Sequence, residues 1–542
     1  MIRPSAHRDT FTRDNLPPPD EWPDLIFDRP ELHYPDRLNA AAALLARARA
    51  LSDPDEPAIF WGAACWTFRM LDTCSNQLAG VLVDHYRLVP GERVLLRGAN
   101  TPMLFAAWLA VIKAGGVAVT TMPMLRAMEL APVIDKARIQ LAICEDGLVG
   151  ALEDARHCTT AGSLRAIAVY GGDDDPLAAL MQRADPDFQP VATAQDDVCL
   201  IAFTSGTTGS PKAAAHFHRD VLAMCDTFAR HILKVERPAV FCGTPPIAFT
   251  FGLGALLAFP LSAGCAVALP EHSTPAALAR AIADHRASHV FTSPTAYRAL
   301  LQTLDQIDLA SVRLFVSAGE HLPEETWHAW RQATGAAIVN GLGTTEMIHI
   351  VLSAAGRDIV PGATGRPVPG YEACLLDPSG DMIDGPGEGR LAVRGPTGCR
   401  YLADPRQRDY VVRGWNVTGD IYRRDAAGYY WYVGRSDDMI VSSGYNIAAP
   451  EIEAALYRHD AVAECAVIGW PDADRGQIVK AVVVPAAGII GDAALVKVLQ
   501  DHVKQTLAPY KYPRLIEFRD ALPKTANGKL RRAALKAAAL AD

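Results

Sequence analysis

Short apolar runs of strand length alternate with longer Ala- and Leu-rich stretches through much of this chain. Residues 93–96 are strand-like, and 101–113 form a helical run that stops at Gly115-Gly116. Residues 117–120 return as strand, 125–136 as helix and 140–143 as strand. The runs 166–170, 199–203, 290–292 and 314–317 continue the pattern, and 38–51 reads as a helix after an extended, Pro- and Asp-rich arm. This alternation predicts an α/β fold with largely parallel sheets covered by helices on both faces. From Gly356 to Gly398 the chain is dense in Gly and Pro with short apolar runs, which predicts a smaller β unit. Beyond Gly434-Arg435 the order changes. It becomes strand (439–441), helix (450–458), strand (465–469), strand (479–484), helix (493–507) and strand (515–518). Two domains are therefore expected: 1–434, large and α/β, and 435–542, small, α+β and mobile about a short hinge.

No charged residue lies between Arg237 and Glu271, and 249–269 is long enough to span a bilayer. Gly252, Gly254, Pro260 and Gly264 interrupt it and no basic cluster flanks it, so a buried helix near 254–259 and a strand near 266–269 are predicted instead. The chain has 542 residues, half of them hydrophobic, enough for a large core. Its net charge of −9 disfavours a nucleic-acid partner, and no membrane partner is expected. Eleven cysteines without a C-x-x-C pair suit reduced thiols in a cytoplasmic protein. The oligomeric state is left open, a homodimer included.

The run Phe203-Thr204-Ser205-Gly206-Thr207-Thr208-Gly209-Ser210-Pro211-Lys212 follows an apolar strand. Backbone N–H groups of a glycine-rich turn approach a polyphosphate closely, hydroxyls add donors and a lysine adds charge. The spacing is not that of a Walker-A loop, and a plain polar surface loop is the competing reading. The decapeptide resembles the signature loop of the adenylate-forming superfamily of acyl- and aryl-CoA synthetases, luciferases and adenylation domains. Four more motifs of that kind follow in order: Asn340-Gly341-Leu342-Gly343-Thr344-Thr345-Glu346, Thr418-Gly419-Asp420, Gly434-Arg435-Ser436-Asp437-Asp438 and Pro523-Lys524-Thr525-Ala526-Asn527-Gly528-Lys529. Within the superfamily, residues 9–17 and Glu346-Met347-Ile348-His349-Ile350 look most like the benzoate and 2-aminobenzoate CoA ligases.

The resemblance implies ATP, Mg²⁺ and coenzyme A as co-substrates and cofactor, and a small aromatic carboxylic acid as substrate. It implies that Thr204, Ser205, Gly206, Thr207, Thr208, Gly209 and Lys212 hold the β- and γ-phosphates. Thr345 then contacts the α-phosphate and Glu346 the Mg²⁺. Asp420 reaches the ribose, Arg435 the ribose or a phosphate, and Gly319, Glu320, Gly341, Gly343 and Thr344 line the nucleotide and acid sites. Lys529 carries the adenylation step. Asp437 is the hinge, after whose rotation Ser443 and Gly444 face the pantetheine tunnel. Phe249, Thr250, Phe251 and His349 fall to the acid pocket. Each has a plainer reading: Glu346 a solvated carboxylate, Asp420 an Asx-turn residue, Gly444 a hairpin glycine, His349 a core histidine. His216 and His218 are read as structural only. Rival functions are an aliphatic acyl-CoA synthetase, a stand-alone adenylation protein and a non-catalytic nucleotide-binding regulator. The adenine-stacking residue is unassigned, because Leu342 stands where many relatives carry an aromatic.

Overall fold

The computed structural model describes residues 4–204, 211–304, 307–322, 324–435, 440–447, 449–523, 532, 535 and 536. Two sheets carry the large lobe. The six-stranded one runs Ala166–Tyr170, Leu141–Glu145, Arg93–Arg97, Val117–Thr121, Val198–Thr204, Lys212–Phe217. Its first five strands are parallel and the last is antiparallel. Arg93–Arg97 and Val117–Thr121 are buried at every position, as expected where helices cover both faces. Between them, the helix Pro102–Lys113 starts with Thr101 accepting from the Leu104 N–H and Pro102 in its first turn. It ends before Gly115, whose φ of 74° needs no Cβ.

The nine-stranded sheet runs Arg366–Pro367, Ile350–Ser353, Ile338–Gly343, Leu314–Ser317, His289–Thr292, Val240–Gly243, Ala266–Leu269, Pro57–Trp61, Ala64–Thr67. The six strands from Ile338–Gly343 to Pro57–Trp61 are parallel, and both edges are antiparallel. The uncharged stretch folds as one buried helical run. It comprises Thr250–Gly252, the π-helical Leu253–Ala258 and Phe259–Ala263, and then enters strand Ala266–Leu269. Among the described residues no helix is long and apolar enough to cross a membrane.

The Gly- and Pro-rich region supplies two strands of a small antiparallel sheet, Glu372–Leu376 and Gly387–Arg394; the residues after it add Trp415–Arg424 and Val411–Val412, with Tyr430–Arg435 beside Trp415–Arg424. The C-terminal part is α+β. Strands Tyr445–Ile447, Ile440–Ser442, Gly476–Pro485, Val462–Asp472 and Leu515–Phe518 form one sheet, with helices Ala449–Leu456 and Ala493–Thr506. Ile440, Ile452, Val467, Val483, Leu499 and Val503 give it a core of its own.

Thr204, near the start of the run predicted to bind phosphate, ends the largely buried strand Val198–Thr204, and Lys212, at the end of that run, begins an antiparallel partner strand. Thr204 pairs with Lys212 and Ala202 with Ala214. The hairpin of Pro57–Trp61 and Ala64–Thr67 was not anticipated from the sequence. Among the described residues all eleven cysteines are unpaired with one another, as expected.

Candidate active site

Ligands in parallel α/β sheets sit beyond the strands' carboxyl ends. Here the exits of both sheets open on one cleft of about 2060 Å³. Thr120 and Thr204 reach it from the six-stranded sheet, and Thr244, Ser293, Gly319 and Thr344 from the nine-stranded one.

The Thr344–Ile348 turn of the wall is held from several sides. Thr344 Oγ1 accepts from the Met347 N–H at 3.2 Å and caps a single helical turn, Thr345–Met347. Ile348 closes it with φ of 66° while fully buried, a left-handed conformation that costs a β-branched residue about 1–3 kcal/mol. Two bonds from neighbouring elements offset that strain. His216 Nε2–H donates to the Thr345 carbonyl at 2.9 Å, and Thr397 Oγ1–H to that of Met347 at 2.9 Å. The acceptor is a carbonyl, so His216 carries its proton on Nε2. Glu346 is buried, and the Tyr401 hydroxyl donates to its Oε1. The Tyr410 hydroxyl lies 3.4 Å from Oε2 and 3.1 Å from Thr344 Oγ1.

The Tyr401 N–H donates to Gln407 Oε1 at 2.8 Å, and Arg400 precedes it in the chain. That guanidinium is fully buried, pairs with Asp220 at 2.8 Å and lies over the Phe217 ring at 4.0 Å. Asp220 also lies 3.8 Å from His216 Nδ1. Burial alone would raise the Asp220 pKa, but Arg400 and then His216 outweigh it and hold the carboxyl well below the usual range. Sequence reasoning missed Tyr401, Tyr410, Arg400 and Asp220 and read His216 as structural only. The structure ties all five to the Thr345–Glu346 turn.

Lys212 also faces the cleft, its ammonium 5.2 Å from the Tyr401 ring centroid. Asp420 lines the cleft from strand Trp415–Arg424, its N–H bonded to Thr418 Oγ1 at 3.3 Å. It is paired in register with Arg435, whose side chain lies outside the described residues. So do Ser205, Gly206, Thr207, Thr208, Gly209, Asp437 and Lys529. Gly319 has φ of 86°, a torsion that glycine adopts without strain. Glu320 Oε2 accepts from the Thr295 hydroxyl at 2.7 Å, while Oε1 has no partner among the described residues. Burial pushes its pKa up.

Phe249, Thr250, Phe251, Gly341, Leu342, Gly343 and His349 line another part of the cleft. The His349 ring is tilted against Phe228 (5.2 Å) and Phe251 (5.8 Å) and edge-on to Phe259 (4.6 Å). Burial lowers its pKa to about 3, so it is neutral at physiological pH. The Phe251 main chain pulls the other way, yet neither ring nitrogen makes a well-formed hydrogen bond among the described residues. A Cβ on Gly254 would lie 2.4 Å from His349 Cδ2, so only glycine leaves room for this imidazole. Gly341 and Gly343 have a packing reason too: a Cβ would meet the Ile350 side chain at 2.6 Å and the His349 carbonyl oxygen at 2.7 Å.

Residues 46–401 match the model of the AMP-binding enzyme family, and 451–529 that of the AMP-binding enzyme C-terminal domain. The chain belongs to the AMP-binding enzyme family. Its adenylate-forming fold is that expected from the motifs. Among curated relatives of this AMP-binding enzyme, a benzoate–CoA ligase of Thauera aromatica is 35% identical over 525 residues, covering 94% of this chain and 98% of its own. Among solved structures, an anthranilate CoA ligase in complex with anthranoyl-AMP is 32% identical with a TM-score of 0.73, covering 95% of this chain and 99% of its own. An amide bond synthetase of Marinactinospora thermotolerans is 27% identical with a TM-score of 0.83, covering 92% and 99%.

Proposed function

We propose that this AMP-binding enzyme is an ATP-dependent aryl-acid:CoA ligase, with 2-aminobenzoate as the favoured acid and benzoate next. A carboxylate oxygen attacks the α-phosphorus of ATP, and the bond to the bridging oxygen breaks with its electron pair leaving on pyrophosphate. The CoA sulfur then attacks the acyl carbon, the acyl C–O bond breaks, AMP leaves and the thiol proton passes to solvent. A free carboxylate acylates poorly, so positioning and charge neutralisation are the protein's main tasks.

The observation that carries this reading is the shared cleft: Thr204, Lys212, Thr345, Glu346 and Asp420 border the same space as Phe249, Phe251 and His349. Thr204 and Lys212 hold the distal phosphates, Thr345 the α-phosphate and Asp420 the ribose hydroxyls. Lys529 neutralises the charge that builds between carboxylate and α-phosphate. Glu346 suits Mg²⁺: its donors among the described residues are neutral tyrosine hydroxyls, so its negative charge is left for a hard cation. When bound, the ion neutralises phosphate oxygens. No group of three or more His, Cys, Asp or Glu side chains forms a metal cage among the described residues, which suits an ion completed by phosphate and water. The aromatic side chains of Phe249 and Phe251 suit a flat aromatic ring. The neutral His349 nitrogens suit its polar substituents. The relatives' names support the same acid class, and the unpaired thiols support a reducing, cytosolic setting.

The test is AMP formation across aromatic and aliphatic acids, with CoA and with a carrier-protein thiol as acceptors. The expected order is 2-aminobenzoate, benzoate, then aliphatic acids, with CoA preferred. A fatty acid as best substrate would overturn the aryl assignment. Gly254→Ala checks the wall itself. Its methyl must displace His349, so KM for the acid should rise about 10-fold or more while KM for ATP stays within about two-fold. An equal rise in both would remove His349 from the acid pocket.

A further inference from the structure

The small C-terminal lobe reaches the large one through Lys511. This side chain is only 5% exposed, and its ammonium donates to carboxylates on both lobes. Glu129 Oε1 accepts at 2.5 Å, and Glu451 Oε1 and Oε2 at 2.8 and 2.9 Å. Glu129 belongs to helix Ala127–Ala137 of the large lobe, and Glu451 to helix Ala449–Leu456 of the small one. Glu129 Oε2 accepts a further bond across the boundary, from the Ala508 N–H at 2.8 Å. Burial alone would lower the Lys511 pKa, but Tyr510, Glu451 and Glu129 outweigh it and keep the ammonium charged.

The same turn, Pro509–Lys511, sets an aromatic stack. Tyr510 lies 4.1 Å from Tyr445, and Tyr445 meets Phe249 of the acid wall edge-on at 6.4 Å. Ser443, Gly444 and Tyr445 all line the cleft in this arrangement, and a Cβ on Gly444 would come within 2.9 Å of Glu320 Oε1. Parting the lobes costs few bonds. Lys511 and Glu451 travel together, and Glu129 keeps the Arg126 N–H that it caps at 3.0 Å. Among the described residues three hydrogen bonds must break, Glu129–Lys511, Glu129–Ala508 and that from Arg298 to the Asp474 carbonyl, so the contact can open and close without leaving the Glu129 or Lys511 charge buried and unpaired.

We infer that Glu129 and Lys511 form a latch that holds the small lobe in the thioester-forming orientation and is open during adenylation. Both act as positioning residues through Tyr445 and Gly444. The inference rests on the ligase reading above, and two half-reactions separate them. Acid-dependent pyrophosphate release without CoA reads the first step. Conversion of supplied benzoyl-AMP and CoA to benzoyl-CoA reads the second. Wild type failing both would refute the ligase reading itself.

Lys511→Met should slow the second half-reaction about 10-fold or more and leave the first within about two-fold. Lys511→Arg, which keeps the charge, should recover most of the loss. Glu129→Gln retains acceptors for Ala508 and Arg126 but loses the ion pair, and should show the same selective loss more weakly. If Lys511→Met does not fold, Glu129→Gln decides alone. Equal loss of both half-reactions, or an unchanged second one, would overturn the latch.

Discussion

Glu346→Gln is expected to cut acid-dependent pyrophosphate release by about 100-fold or more, the scale seen when one preorganised electrostatic group is lost. The substitution preserves shape. Glutamine still offers an oxygen to the Tyr401 hydroxyl, and its amide can donate to Tyr410, so folding stability should change by about 1 kcal/mol or less. What disappears is the negative charge that the tyrosine hydroxyls leave uncompensated. The loss should therefore come with a higher Mg²⁺ requirement, read by titrating the metal at saturating ATP. Wild-type rate and metal dependence in Glu346→Gln would remove this residue from the phosphate end of the cleft.

Arg400→Met should cost about 3–5 kcal/mol of stability, because it leaves the buried Asp220 carboxylate without its cation. The effect depends on pH with a definite sign. The Asp220 pKa is depressed in the fold, so the pair's stabilisation is complete above the unfolded value of about 3.9. It fades as pH falls through the lower folded value. The gap in Tm between wild type and variant should be widest near neutral pH and narrow below about pH 4. Asp220→Asn added to Arg400→Met should restore part of the loss by removing the stranded charge. A gap that stayed constant down to strongly acidic pH would mean that lost packing against Phe217, not the ion pair, explains the cost.

The parts of the site that sequence revealed are those whose residues sit together in the chain. Thr344-Thr345-Glu346 is one turn, Thr418-Gly419-Asp420 one stretch of strand, and each can be read from a few neighbouring letters. What holds them is distant. Tyr401 lies 55 positions from the Glu346 it bonds, His216 is 129 from Thr345, and Arg400 is 180 from Asp220. No local pattern links such residues, and a histidine amid Ala213-Ala214-Ala215 gives no hint of a role before the strands pair. Gly341 and Gly343 are read from sequence as lining the nucleotide and acid sites, yet the structure shows that the Ile350 side chain and the His349 main chain also need them to lack a Cβ. The α/β pattern was legible because its central strands are continuous apolar runs. Ala64–Thr67 was not, because half of it is exposed and the rest only partly buried.

The most direct measurement follows the oxygen atoms of the acid. Benzoate labelled with oxygen-18 in its carboxylate is incubated with the protein, ATP, Mg²⁺ and CoA, and the nucleotide product is weighed by mass spectrometry. Attack of the carboxylate on the α-phosphorus, then cleavage of the acyl C–O bond, predicts AMP carrying one labelled oxygen for each thioester formed. Unlabelled AMP, or ADP in its place, would contradict the proposed chemistry.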